Sequence, residues 1–239
     1  MHPSRNGHLR RPLCARNASA GSDLTASHPA MPQGAQHTMA TFLQELRIQR
    51  LDDHRFYHHS RINQSLHLVS ALSFVAAYGL LFVHPPLAAV LAWCVSMVTR
   101  QAGHFFFEPR GYDEVNQVSD EYKEEIKVGY NIFRKVLLMS AWAAIPVLLF
   151  LQPDVFGFVE PAQGVMAWVE QVGWAWLFLG AGAVLLRVLQ LALTRDPRTG
   201  IVWASKIFTD PFHDILMYYR APLALLRGEL IDPMHHLRH

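Results

Sequence analysis

Residues 58–108 read HHSRINQSLHLVSALSFVAAYGLLFVHPPLAAVLAWCVSMVTRQAGHFFFE, and this stretch decides the fold. Two apolar runs, Leu66 to Val83 and Leu87 to Val98, are separated by little more than His84-Pro85-Pro86, and histidines stand at both outer ends of the pair. A helix crossing a bilayer needs about 20 residues at roughly 1.5 Å rise each. The first run nearly meets that length as it stands. The second meets it when the helix starts at Pro86 and continues through Thr99 toward Glu108, carrying Arg100, Gln101 and His104 to the headgroup level. Two prolines in so short a connection suit a helix start and a tight turn, which makes the pair an antiparallel hairpin with both polar ends on one side.

Two further apolar runs follow, Val136 to Leu151 and Gly173 to Leu193. The third borrows Phe133 and the Arg134-Lys135 pair as a basic anchor and carries Pro146 as a kink; the fourth is interrupted only by Arg187. The expected fold is all-α: a polytopic membrane protein with four transmembrane helices near 66–83, 86–107, 133–151 and 173–193, plus interfacial amphipathic helices. A hairpin dipping part-way into the bilayer competes for the short runs, and a soluble helical bundle competes for the whole. Composition favours the membrane, since the 239 residues are 51% hydrophobic and only 17% charged.

Charge placement orients the chain. Residues 1–65, 100–135 and 194–239 hold eight, six and six of the 21 Lys and Arg, while the connection after the first span and the segment 152–172 hold none. The positive-inside rule then puts both termini, the central loop and a C-terminal segment 194–239 in the cytoplasm. A net charge of +2 gives no reason to invoke nucleic acid, whereas the basic cytoplasmic face suits anionic lipid headgroups. Cys14 and Cys94 offer neither a disulfide framework nor a paired-cysteine metal motif.

Residues 1–40 are rich in Ser, Pro, Gly, Ala and Asn and read as a disordered tail, with Met39 an alternative start; residues 41–239 form one helical membrane domain. From Thr41 the apolar spacing predicts an amphipathic helix running along the interface into the first span. The run DEVNQVSDEYKEEIKVGY in the central loop predicts a solvated helix over the cytoplasmic mouth, and Thr209-Asp210-Pro211 reads as a helix start with Asp210 as cap. Phosphate-binding glycine loops are absent.

Of the 14 histidines, His54, His58, His59, His67, His104 and His213 fall near the cytoplasmic membrane surface. Neutral imidazole is a good iron ligand, and iron held by several histidines with open positions can activate dioxygen. On one continuous helix His59, Asn63 and His67 are four apart and share a face, with His58 pointing away. His59 and His67 are then about 12 Å apart along the axis, so a single ion needs a bent helix or a midway position, and a two-metal site stays open. His104 and Glu108, spaced i and i+4, can chelate one ion. The plainer reading of such residues is hydrogen bonding to headgroup phosphate or helix capping, and for His213 a capping contact or one with Asp214; His235, His236 and His239 read as exposed tail residues.

Arg187 lies inside the fourth span, where an unpaired charge is costly, so it should face a partner. With Gln190 one turn below, it could bind a fatty carboxylate, the competing reading being snorkelling to the interface. Gly180 and Gly182 read as close-packing positions.

The pattern His59-x3-Asn63-x3-His67 opening a span, followed by Gly103-His104-x3-Glu108 closing the next, resembles the 2-hydroxy fatty acid dioxygenase family. The Gly-x-Pro that follows the first motif in that family is Val69-Ser70-Ala71 in this chain. The resemblance implies a small multi-span membrane protein that uses Fe(II) and dioxygen to shorten 2-hydroxy long-chain fatty acids by one carbon. It implies iron at His59, His67 and His104, with Asn63 and Glu108 in support; His213 is a further candidate metal ligand. The function expected is an iron-dependent membrane oxygenase acting on a lipid. A di-iron hydroxylase or desaturase, and a non-enzymatic scaffold or small transporter, are the alternatives.

Overall fold

The structure, a computed structural model, describes residues 41–108, 111–129 and 131–234. The expectations for the tail 1–40 and for His235, His236 and His239 lie outside the described residues. The chain is an all-α membrane protein. Its helices are α1 (Phe42–Tyr57), α2 (Arg61–Leu81), α3 (Pro85–Leu91), α4 (Val98–Phe106), α5 (Asp120–Ile126), α6 (Ile132–Leu151), α7 (Val165–Thr194), α8 (Pro197–Tyr218) and α9 (Ala221–Leu226). Among the described residues, α2, α6 and α7 are long and apolar enough to cross a membrane. The second expected span is helical from Pro85 to Phe106, but a π-helical turn at Ala92–Met97 divides it into shorter pieces. His84 caps it, its Nδ1 accepting from the Leu87 amide at 3.3 Å.

The amphipathic helix does not run into the first span. It starts at Thr41, whose hydroxyl and the Gln44 side chain form a reciprocal cap, and it ends at Tyr57. Ser60 then caps a new helix, its Oγ accepting from the Asn63 amide at 3.4 Å. The break is held by side chains that satisfy the freed carbonyls: Asn63 Nδ2 donates to Tyr57 O at 2.9 Å and Gln64 Nε2 to His58 O at 2.8 Å. The C-terminal strap completes it, with Asp232 N donating to His59 O at 2.8 Å and Arg61 N to Leu230 O at 2.9 Å.

Two other expectations change. α8 starts at Pro197 under an Asp196 cap and runs through Pro211, because the Asp210 carboxylate is taken by Lys206 and Arg50 rather than by helix amides. Among the described residues, the central loop before α6 is helical only over α5. Before it, Asp113 Oδ1 accepts from the Val115 and Asn116 amides, each at 3.0 Å, and folds residues 113–118 into a tight turn.

The apolar half is built on tryptophan. Trp93 Nε1 donates to Trp176 O at 3.1 Å and Trp176 Nε1 to Trp142 O at 2.9 Å, so α3–α4, α6 and α7 are tied by indoles whose apolar bodies fill the core. Close helix approach occurs at Gly173, where a Cβ would come within 2.5 Å of Pro86 O, and not at Gly180 or Gly182, which have room. The outer faces of α6 and α7, with Phe133, Phe150 and Phe178 exposed, are apolar as lipid contact requires.

Candidate metal centre

Three segments bring His58, His67 and His104 together. His58 sits in the break between α1 and α2, His67 two turns into α2, and His104 near the end of α4. Their rings lie 4.2 Å (His58–His67), 4.9 Å (His67–His104) and 5.4 Å (His58–His104) apart, centroid to centroid. One nitrogen from each falls within 4.8 Å of the others, the separation a single ion needs from three ligands. Gly103 makes this close approach feasible, because any side chain there would collide with Asn63 and press on the His67 ring.

Each imidazole is backed on its Nδ1 side. Tyr218 hydroxyl lies 2.8 Å from His58 Nδ1, Glu108 Oε2 lies 2.6 Å from His104 Nδ1, and Asp214 Oδ2 stands 3.7 Å from His67 Nδ1. Asp214 is itself held by Arg100 at 3.0 Å. Outer partners of this kind fix ring orientation and leave the opposite nitrogen for a metal. His58 Nε2 and His67 Nε2 are buried with no hydrogen-bond partner among the described residues, and His67 Nδ1 has only the longer Asp214 contact at 3.7 Å. Orphaned buried nitrogens facing one another are costly unless a cation satisfies them. The donor set therefore fits a metal, and three neutral nitrogens suit iron as well as zinc.

Burial holds His58 well below the usual imidazole range, with the neighbouring His67 adding to the effect, so His58 is neutral and ready to ligate. Burial likewise lowers His54 to about 4 and keeps the Tyr218 phenol protonated. Tyr218 hydroxyl also contacts His54 Nδ1. One hydroxyl proton cannot serve both rings; with His58 Nδ1 donating to the tyrosine oxygen and the hydroxyl donating to His54, His58 Nε2 is the bare ligand atom. Burial alone would raise the Asp214 carboxyl, but His67 and Arg100 outweigh it and hold it below the carboxylate range.

The residues expected from sequence part company at this point. His67 and His104 are in the cluster. His59 is not: with the helix broken its ring turns to Asn116 at 3.2 Å and Asp113 at 3.6 Å, and His58 takes its place. Asn63 donates to the break rather than toward the cluster. Glu108 backs His104 and accepts from Lys127 at 3.2 Å, so it orients a ligand instead of chelating beside it. His213 packs on His54, ring centroids 5.1 Å apart, one residue removed from the cluster. Arg187 donates to Gln190 Oε1 at 2.9 Å and to the Val128 and Gly129 carbonyls, tying α7 to the loop before α6. Tyr218 is a functional neighbour that the sequence reading missed, His54 was named only among the surface histidines and Asp214 only as a contact of His213; the Ser60 cap is the signal that His58 and not His59 would face inward.

A cavity of about 600 Å³ opens beside the cluster, with His104 in its wall. Phe74, Trp93, Leu138, Met139 and Trp176 line its apolar body, and Arg100, Lys127 and Lys135 its polar end. Arg187 and Gln190 do not line it. Comparison with known protein families, curated proteins and solved structures finds no match to this chain.

Proposed function

We propose that this protein is an iron-dependent membrane oxygenase acting on a lipid, its Fe(II) held by His58, His67 and His104. The observation that carries the reading is the convergence of three backed imidazoles, with unsatisfied nitrogens turned toward one another, at the wall of an apolar cavity. Bound there, ferrous iron would supply activation of dioxygen. The chain's own contribution is to hold the three ligands through Tyr218, Asp214 and Glu108, to exclude water from the buried side, and to seat the substrate. A single cluster among the described residues favours one ion over a di-iron pair.

The substrate end follows from Lys135. Its ammonium lines the cavity near Glu108 but has no hydrogen-bond or ion-pair partner among the described residues, whereas Arg100 and Lys127 are already paired. An anionic head on Lys135 with its tail among Trp93, Leu138 and Trp176 places a lipid beside the metal. A 2-hydroxy fatty acid, which the sequence resemblance implies, fits that description. The positive-inside rule, applied to the basic residues flanking the centre, supports a cytoplasmic position for it and for both termini.

Iron analysis of detergent-purified protein after anaerobic Fe(II) loading tests the reading. Wild type and His59→Ala should retain near-stoichiometric iron, and His58→Ala, His67→Ala and His104→Ala should lose it. Lys135→Met should retain iron yet weaken conversion of 2-hydroxy fatty acids about tenfold or more through KM, the loss of one charge-assisted contact. Folded wild type that holds no specific iron would end the oxygenase reading.

A further inference from the structure

α8 is inside out for a helix in water. Beyond Arg198 in its first turn, its charged residues, Lys206, Asp210 and Asp214, are at most 5% exposed, while Ile201, Phe208, Phe212 and Leu216 are 52 to 73% exposed. No charged side chain is exposed between Arg198 and Arg220. The inward charges are compensated within the protein: Lys206 lies between Asp53 and Asp210, Arg50 reaches Asp210 at 3.1 Å, and Arg100 reaches Asp214 at 3.0 Å. Pairing inward and presenting apolar surface outward is how ionisable residues are accommodated where the surroundings are hydrocarbon. α9 continues the outward stripe with Leu223 and Leu226.

α8 packs along both α7 and α2. It begins two residues after α7 ends, with Gly200 packed against Val188 O of α7, and it ends with Tyr218 against His58, beside the start of α2. Between these ends its middle lies against the far third of α2, where the Tyr78 hydroxyl donates to Phe208 O at 3.1 Å and the Phe212 ring stands 6.1 Å from the Tyr78 ring, so α8 runs along a membrane-crossing helix.

We infer that α8 and α9 are part of the membrane domain, their outward stripe covered by lipid acyl chains. Arg198, Arg220 and Arg227, exposed at the ends of the stripe, meet lipid phosphates. The segment after α7, expected from sequence to be cytoplasmic, is thus part of the membrane domain. This conclusion rests on neither iron nor catalysis. Its consequence reaches the histidine cluster, because Asp214 and Tyr218, which back two of the three rings, are carried on a lipid-anchored helix.

The test uses the full chain in liposomes of phosphatidylcholine with a minority of phosphatidylglycerol. In a Cys14→Ser, Cys94→Ser background, nitroxide labels are placed at Phe208→Cys, Phe212→Cys, Leu216→Cys and Arg198→Cys, all surface positions whose folding is checked by gel filtration. Labels at 208, 212 and 216 should relax with dissolved oxygen and lose relaxation by a water-soluble nickel chelate, while the label at 198 responds to the chelate. Chelate relaxation at the three positions equal to that at 198 would return the stripe to water. Exclusion of both reagents would mean a protein surface covers it, which equally overturns the lipid assignment.

Discussion

The two ends of the bundle are stabilised by different means. Around the histidines, the α1–α2 break, the end of α4 and α8 bury His54, His58, Asn63, Gln64, His67, Lys206, Asp210 and Asp214, nearly all engaged with one another or with backbone. Around the tryptophans, α3 with the π-helical turn that follows it, α6 and α7 bury Ala89, Trp93, Leu149, Val172 and Trp176. Lipid offers apolar groups an environment as favourable as the core, so the tryptophan end gains mainly packing. The histidine end has no such fallback: a polar group freed there stays in a low-dielectric setting, so single deletions should cost more.

Four measurements break or sharpen this contrast. Lys206→Met leaves Asp53 without its partner and buried Asp210 with Arg50 alone, and should lower unfolding stability in detergent by about 3 kcal/mol. A fall no larger than that of a surface substitution would refute the idea that the charged network holds α8 down. Acid should act next. The folded pKa of His54 lies near 4 against 6.5 in its unexceptional state, so between those values the unfolded chain binds more protons. The stability of the metal-free protein is therefore full above about pH 6.5 and is lost as pH falls toward 4, by up to about 3 kcal/mol for this group. Thermal scans at pH 7 and pH 5 check this, and His54→Gln should flatten the difference.

Trp176→Ala, a large truncation at the other end, should cost only about 2 to 3 kcal/mol, because packing is lost while the exposed surface finds lipid or detergent. Fe(II) should raise the melting temperature of this variant as much as it raises that of wild type, and should leave His58→Ala unmoved. Equal responses in all three would uncouple the ion from the cluster. The smallest effect expected is that of Tyr218→Phe, which removes one hydroxyl behind His58: folding is kept and metal affinity falls by about 10- to 100-fold, read by competition with a chelator.

Much of this was legible in the chain. The four apolar runs, the Pro85-Pro86 turn and the absence of nucleotide motifs follow from length and composition, because the bilayer imposes its thickness on any helix that crosses it. His67 and His104 could be singled out because each stands near the polar end of a span. His59 drew attention for a reason that failed: the phase of a continuous helix was carried across 57–61, where Ser60, Asn63 and Gln64 instead close one helix and open another.

What the sequence determined by itself is the local and the periodic: that the chain is helical, that at least three apolar runs are long enough to span, and that histidines concentrate at one end. What only the tertiary structure decided is which of them meet. His58, His67 and His104 face one another because a C-terminal strap, a lone glycine at 103 and the inward charges of α8 bring together groups distant in sequence. Contacts of that kind depend on the packing of whole helices, and helical phase along a single segment carries no information about them.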